Sequence, residues 1–154
     1  MKALKIVLSW ILVAFVMIAI FLFSSQTADA SSSVSGGIIS AIADFLANVF
    51  GVPCSTLPAK AIPYHGTIRK IAHFLIYMLL GFLLTNALSV SGVKSSRRVF
   101  AMSLLIAVLY AVSDEFHQLF VPGRSGEIRD VFIDSTGAFS GIILRSTLWI
   151  LKKQ

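Results

Sequence analysis

The sequence predicts an all-α integral membrane protein with four transmembrane helices and a short interfacial or re-entrant amphipathic helix in the first outer loop. Three observations carry that reading. Hydrophobic side chains make up 56% of the 154 residues and charged ones only 13%, whereas a soluble domain carries roughly 25% charged residues. Residues 6–23 contain no charge at all. The net charge of +6 is distributed along the chain as membrane topology requires, so a nucleic-acid surface has little support. This composition excludes a water-soluble globule and a disordered tail, and the single cysteine, Cys54, excludes a disulfide scaffold. The length suits one domain, 1–154.

Residues 6–23 are the first span. At 1.5 Å per residue they reach about 27 Å, close to the hydrocarbon thickness. Ala28-Asp29-Ala30 looks like a small-x-small cleavage site, but the apolar core is longer than the roughly 7–15 residues of a cleaved signal, so the segment is read as a retained anchor. Residues 71–90 are the second span, interrupted by His73. Residues 99–112 run on through 113–120 as one helix, giving a third span over 99–120. The fourth, 131–151, carries Asp134 near its start and Arg145 near its end.

Residues 24–70 form a long outer loop. Ser31-Ser32-Ser33 with Gly36-Gly37 reads as a turn. Ile38, Ile39, Ile42, Phe45, Leu46, Val49 and Phe50 then recur near helical spacing, with Asp44 and Asn48 on the other side. About 13 residues are too few to cross a bilayer and fit a helix lying in the interface or re-entering against the bundle. Val52-Pro53 lacks the small residue that a lipoprotein cleavage box places before its cysteine, so Cys54 is expected to be a lone packed thiol. The chain contains no internal repeat and no low-complexity tract.

Four spans place both termini on one side. Lys2, Lys5, Lys94, Arg97, Arg98, Arg145, Lys152 and Lys153 share that side with no acid, while Lys60, Arg69, Lys70, Arg124 and Arg129 share the other with all seven acids. The positive-inside rule therefore puts the termini and the 94–98 loop in the cytoplasm and the acids in the outer half. The expected partner is the lipid bilayer, not nucleic acid.

Charged groups near hydrocarbon cost a few kcal/mol each, which makes function their default explanation. Lys70, His73, Tyr77 and Gly81 are spaced by three, four and four and line one helix face. Arg69 and Lys70 also fit ordinary interfacial snorkellers, and Tyr77 an interhelical hydrogen-bond donor. His73 sits a turn inside the span, and imidazole ordinarily titrates near neutrality, which favours a functional role. The second cluster is Asp114, Glu115, His117 and Gln118, followed by a tight Pro122-Gly123 turn, Arg124, and Arg129, Asp130 and Asp134. Asp130 and Asp134 lie in line with Gly137 or Ala138 and Gly141, small residues that let another helix approach closely. The helix dipole accounts for part of Asp130 but not for Asp134, a turn deeper. The competing account is a purely structural network of Arg124 and Arg129 with these carboxylates.

The chemistry stays open at this level. Glu115, Asp130 and Asp134 are candidate metal ligands, but no HExxH-like spacing supports them. Glu115 with His73 suits a membrane-embedded acid/base pair. Ser113 has no nucleophile-elbow context, and no glycine-rich phosphate loop occurs.

Phe23-Ser24-Ser25-Gln26, the Lys70, His73, Tyr77, Gly81 series, Asp114-Glu115-x-x-Gln118-x-Phe120-x-Pro122-Gly123-Arg124, and the Asp130, Asp134, Gly137, Gly141 series resemble the VanZ-like family of bacterial membrane proteins. The string from Asp114 to Asp134 is the most specific part. The resemblance implies a bacterial cytoplasmic-membrane protein. It also implies a context, because the family is named for an accessory protein of resistance to teicoplanin, a lipid-tailed glycopeptide that targets cell-wall precursors.

Three functions are weighed. The first is a non-enzymatic envelope protein that binds or shields a lipid-linked ligand at the outer leaflet, with Arg69, Lys70, Arg124 and Arg129 meeting phosphate or carboxylate and Tyr77, Asp114 and Gln118 completing the ligand site. The second is a hydrolase or transferase acting on an envelope lipid or wall precursor through His73, Glu115, Asp130 and Asp134. The third is a proton or ion pathway through the same groups, which four helices would support only as a homo-oligomer.

Overall fold

The computed structural model describes residues 2–27, 33, 37 and 65–151. Among them four long helices are found: α1 (Lys2–Ser24), α2 (His65–Val90), α3 (Ser96–Gln118) and α4 (Ile128–Leu151). The predicted helix over 38–50, and Cys54 and Lys60, lie outside the described residues.

α1, α3 and α4 each bury one narrow stripe. On α1 this is Ser9, Val13, Val16, Ile20 and Ser24, spaced by three or four. On α3 it is Val99, Ser103, Ala107, Ala111, Asp114, Glu115 and Gln118. On α4 it is Asp130, Asp134, Gly137, Ala138, Gly141 and Ile142. The remaining faces expose large apolar side chains such as Phe15, Leu105, Phe132 and Leu148. With an apolar core of Val13, Val16, Ile20, Leu80 and Leu84 inside as well, so extensive an exposed apolar surface is suited to hydrocarbon and not to water.

Three helices are long and apolar enough to cross a membrane: Lys2–Ser24, Thr67–Val90 and Ser96–Gln118. α4 has 24 residues but falls below that hydropathy, because it carries Arg129, Asp130, Asp134 and Arg145. The helix ends differ from those expected by a few residues. α2 begins before Arg69 and Lys70, so both lie on helix, α3 stops at Gln118, and α4 starts at Ile128.

α2 is the central helix, touching all three others and packing most extensively on α4. Glycine makes that contact possible. A Cβ at Gly81 would collide with the Ala138 carbonyl, one at Gly137 with the Phe74 carbonyl, and one at Gly141 with the Met78 carbonyl. The close approach expected from the small residues is thus present, backbone against backbone. Between α3 and α4, the Arg124 amide donates to the Val121 carbonyl (3.1 Å) and Gly123 has φ +76°. This type II turn suits Pro122 followed by glycine.

At the end of the bundle holding Lys2, Lys5 and the α2–α3 turn, Arg145 donates through Nε and Nη2 to Asn86 Oδ1 (3.1 and 2.9 Å). Asn86 Nδ2 in turn donates to Ser9 Oγ (3.4 Å), and Trp10 Nε1 to Ser91 Oγ (3.0 Å). No carboxylate among the described residues takes part in this network.

Replacing Gly141 by leucine should push α4 off α2 and destabilise the fold by about 3 kcal/mol, as overpacking does. Thermal unfolding of the detergent-solubilised protein checks this, with Thr136→Ala on the exposed face as the reference. Equal midpoints would mean that the two backbones are not in contact.

Candidate functional site

The other end of the bundle collects the polar residues. α2 supplies Arg69, Lys70, His73 and Tyr77, α3 supplies Asp114, Glu115 and Gln118, α4 supplies Asp130 and Asp134, and α1 ends there at Ser24. These residues, scattered in sequence, converge because α2 begins at the level where α1 and α3 stop and α4 starts.

The site is layered. At the rim, Lys70 Nζ donates to Glu127 Oε2 (3.1 Å) and also bonds Asp130 Oδ1. Asp130 sits in the first turn of α4, where the helix dipole also favours its charge. Arg129 is exposed, and Arg69, half-buried, makes no ion pair or hydrogen bond among the described residues. Arg69, Lys70, His73, Gln118, Asp130, Ile133 and Asp134 line a crevice too tight to admit a water molecule.

One turn deeper, His73 Nδ1 lies 3.4 Å from Asp134 Oδ2, and the Asp134 side chain is fully buried. Asp114 Oδ2 accepts from Ser24 Oγ (2.8 Å) and from Gln118 Nε2 (3.3 Å). The same amide nitrogen is 3.3 Å from Glu115 Oε1, while Glu115 Oε2 accepts the Glu127 backbone N–H (2.8 Å). Gln118 is therefore the hub that joins α1 to both α3 carboxylates. Tyr77 is wholly buried, its ring 6.5 Å from that of His73 and 6.3 Å from that of Tyr110.

Three buried atoms find no hydrogen-bond partner among the described residues: Tyr77 Oη, Asp114 Oδ1 and Asp134 Oδ1. A polar atom left unsatisfied in an apolar setting costs about 1–3 kcal/mol, and more when it is charged. A fold keeps such a cost where function needs it.

Arg124 faces the bundle from the loop between α3 and α4. Its Nε donates to the Gln26 carbonyl (2.8 Å), Nη2 to the Phe23 carbonyl (3.1 Å) and Nη1 to Gln118 Oε1 (3.3 Å). Burial and the nearby Arg69 lower its pKa, yet a guanidinium stays cationic. All three nitrogens are thus engaged on the end of α1 and on the hub.

The structure brings His73, Asp114 and Asp134 together, with one ligand atom from each within 4.8 Å of the others. Of the metal candidates expected from sequence, Asp134 belongs to this group. Glu115 and Asp130 are engaged one layer away, with Gln118 and the Glu127 amide and with Lys70. Two further participants are Ser24, which the sequence marks only through the Phe23-Ser24-Ser25-Gln26 motif, and Glu127, which it marks only as one of the outer acids, three residues before Asp130. His117 stays outside the cluster, 3.1 Å from Ser25 Oγ and against the Phe21 ring (4.7 Å).

A family model described as VanZ/LLP1 matches residues 9–150, nearly the whole chain. No curated protein and no solved structure matches it.

Substituting Arg124 by alanine should free the end of α1 and lower stability by about 1–3 kcal/mol, the range for hydrogen bonds to a charged donor. Lysine should not restore it, because a point charge cannot serve three acceptors in a fork. Hydrogen exchange of the amides at 25–27, together with unfolding midpoints, checks this. Unchanged exchange in both variants would show that the contacts do not anchor α1.

Proposed function

This chain belongs to the VanZ/LLP1 family, and we propose that it is a multi-pass bacterial cytoplasmic-membrane protein that acts at the outer face on a lipid-linked envelope ligand with an anionic head group. The reading takes α4 as a fourth span. Its polar residues Asp130 and Asp134 turn inward, its glycines seat it on α2, and Phe132, Phe139, Ile143, Leu144 and Leu148 face outward. With four spans, the end bearing Lys2, Lys5, Lys94, Arg97 and Arg98 is cytoplasmic by the positive-inside rule, and the polar cluster opens on the other side.

The observation that carries the functional reading is the group of half-buried His73 with buried Asp114 and Asp134, at the end of the bundle that also bears Arg69 and Arg129. These two arginines have guanidinium donors uncommitted to ion pairs among the described residues and suit bidentate contact with phosphate or carboxylate. The deeper carboxylates would repel an anion that is merely stored. They suit a reaction in which protons or a water are handled next to a bound head group, so hydrolysis or group transfer is the favoured class. The tightness of the crevice, which admits no water, favours a second reading, capture of a head group at the surface arginines without turnover. A lipid-tailed glycopeptide of the teicoplanin type would meet the same rim.

Two measurements test this. In a Cys54→Ser background, a membrane-impermeant maleimide applied to intact cells should label Ser125→Cys and leave Ser96→Cys unlabelled until the membrane is opened. The opposite pattern would overturn the orientation. For activity, the full chain in nanodiscs containing phosphatidylglycerol and a polyprenyl-linked wall precursor should change one of these lipids, as read by mass spectrometry. Turnover should fall about 100-fold or more in Asp134→Asn, and Arg69→Ala should chiefly raise KM. Saturable retention of an unchanged lipid would favour capture, and neither retention nor turnover would overturn both readings.

A further inference from the structure

We propose that His73, Asp114 and Asp134 hold a divalent metal ion. The inference deepens the function proposed above and rests on it only for what the ion would serve.

Geometry comes first. A metal bonded at about 2.1 Å to imidazole nitrogen and carboxylate oxygen sets its ligand atoms roughly 3–4 Å apart. The three ligand atoms lie within 4.8 Å of one another, so a small contraction closes them on an ion. The 3.4 Å between His73 Nδ1 and Asp134 Oδ2 is long for a charge-assisted hydrogen bond, which runs about 2.7–2.9 Å. It also matches the spacing of two ligand atoms on one tetrahedral metal ion.

The second observation is independent of that spacing. Asp114 is 4% exposed and Asp134 0%, yet Oδ1 of each has no donor among the described residues. Nearby cations do not answer them. Lys70 is bonded to Glu127 and Asp130, and the Arg124 donors go to the Phe23 and Gln26 carbonyls and to Gln118. Two buried carboxylates then share one imidazole, an arrangement that a low-dielectric interior penalises heavily. A double positive charge placed among them removes the imbalance.

Chemistry narrows the ion. One nitrogen and two carboxylate donors with no thiolate suit manganese, iron(II) or zinc, whereas calcium prefers oxygen alone. The outer contacts of a metal site are also present, since Ser24 Oγ and Gln118 Nε2 hold Asp114 by Oδ2. Three protein ligands leave positions for water or for an oxygen of a head group. Arg69 and Lys70 line the same tight crevice as His73 and Asp134, so cationic side chains stand on the outer side of the proposed ion.

The test uses the full chain in nanodiscs after chelator treatment, titrated with Mn²⁺ alone. About one ion per chain should bind saturably, and pulsed EPR of the wild-type complex should show nitrogen modulation from one coordinated imidazole. Asp114→Asn, Asp134→Asn and His73→Gln should each weaken binding by about tenfold or more, while Lys94→Ala at the far end leaves it unchanged. The nitrogen signature is read on unaltered protein, so misfolded variants do not blunt the test. Absence of saturable binding overturns the proposal, as does saturable binding without nitrogen coupling. Lipid turnover or capture that persists in metal-free protein with no Mn²⁺ site would overturn the metal and leave the proposed function standing. A metal site in protein that neither captures nor changes lipid would do the reverse.

Discussion

At Gly81, Gly137 and Gly141 the backbones of α2 and α4 meet with no side chain between them, and the remaining distances at the polar end follow from that contact. Lys70, His73 and Tyr77 share the α2 face that bears Gly81, and Asp130 and Asp134 share the α4 face that bears Gly137 and Gly141. Once the glycines seat the two helices, Lys70 must meet Asp130 and His73 must meet Asp134. A wider separation, of the kind leucine packing gives, would leave each of these pairs out of reach. In hydrocarbon the hydrophobic effect does not press helices together, so close van der Waals contact between small residues has to supply the cohesion.

α3 and α1 complete the chamber by a different means. α3 contributes a buried line of small residues, Ser103, Ala107 and Ala111, which brings its end near enough for Asp114 to join His73 and Asp134. α1 packs Val13, Val16 and Ile20 into the core and is tied by polar bonds at its last turn. Ser24 donates to Asp114, and Arg124 grips the Phe23 and Gln26 carbonyls from the far side of a type II turn. The first helix is therefore part of the site, and the Pro122-Gly123 turn acts as a positioning device for a guanidinium.

Much of this was legible in the sequence, for physical reasons. The three-and-four spacing of Lys70, His73, Tyr77 and Gly81, and of Asp130, Asp134 and Gly141, fixes which residues share a helix face, because the period of an α-helix leaves little choice. That the two faces turn toward each other followed from the glycines. The relation of Asp114 to Glu115 was not legible. They are neighbours about 100° apart around the helix, and both are buried, so which one turns to His73 depends on a rotation of α3 that its own residues do not encode. Ser24 stands in the Phe23-Ser24-Ser25-Gln26 motif, but the motif does not say what its hydroxyl touches. Its partner lies 90 residues on in the chain, a distance over which spacing rules are silent. The ends of the spans moved for a related reason. Hydropathy marks where a helix stops being apolar, whereas α2 continues as helix through Arg69 and Lys70 because their charges are solvated or paired at the rim.

The network at the opposite end has an electrical consequence. Arg145 is held there by a neutral amide, Asn86, and the described residues offer it no carboxylate, while the described acids gather around His73 and Lys70. The bundle is thus a dipole laid along its own long axis. In a membrane that is negative on its inner side, each uncompensated charge moved across 100 mV is worth about 2.3 kcal/mol. In the orientation proposed above, the resting field pulls the arginine end toward the cytosol and resists inversion of the molecule.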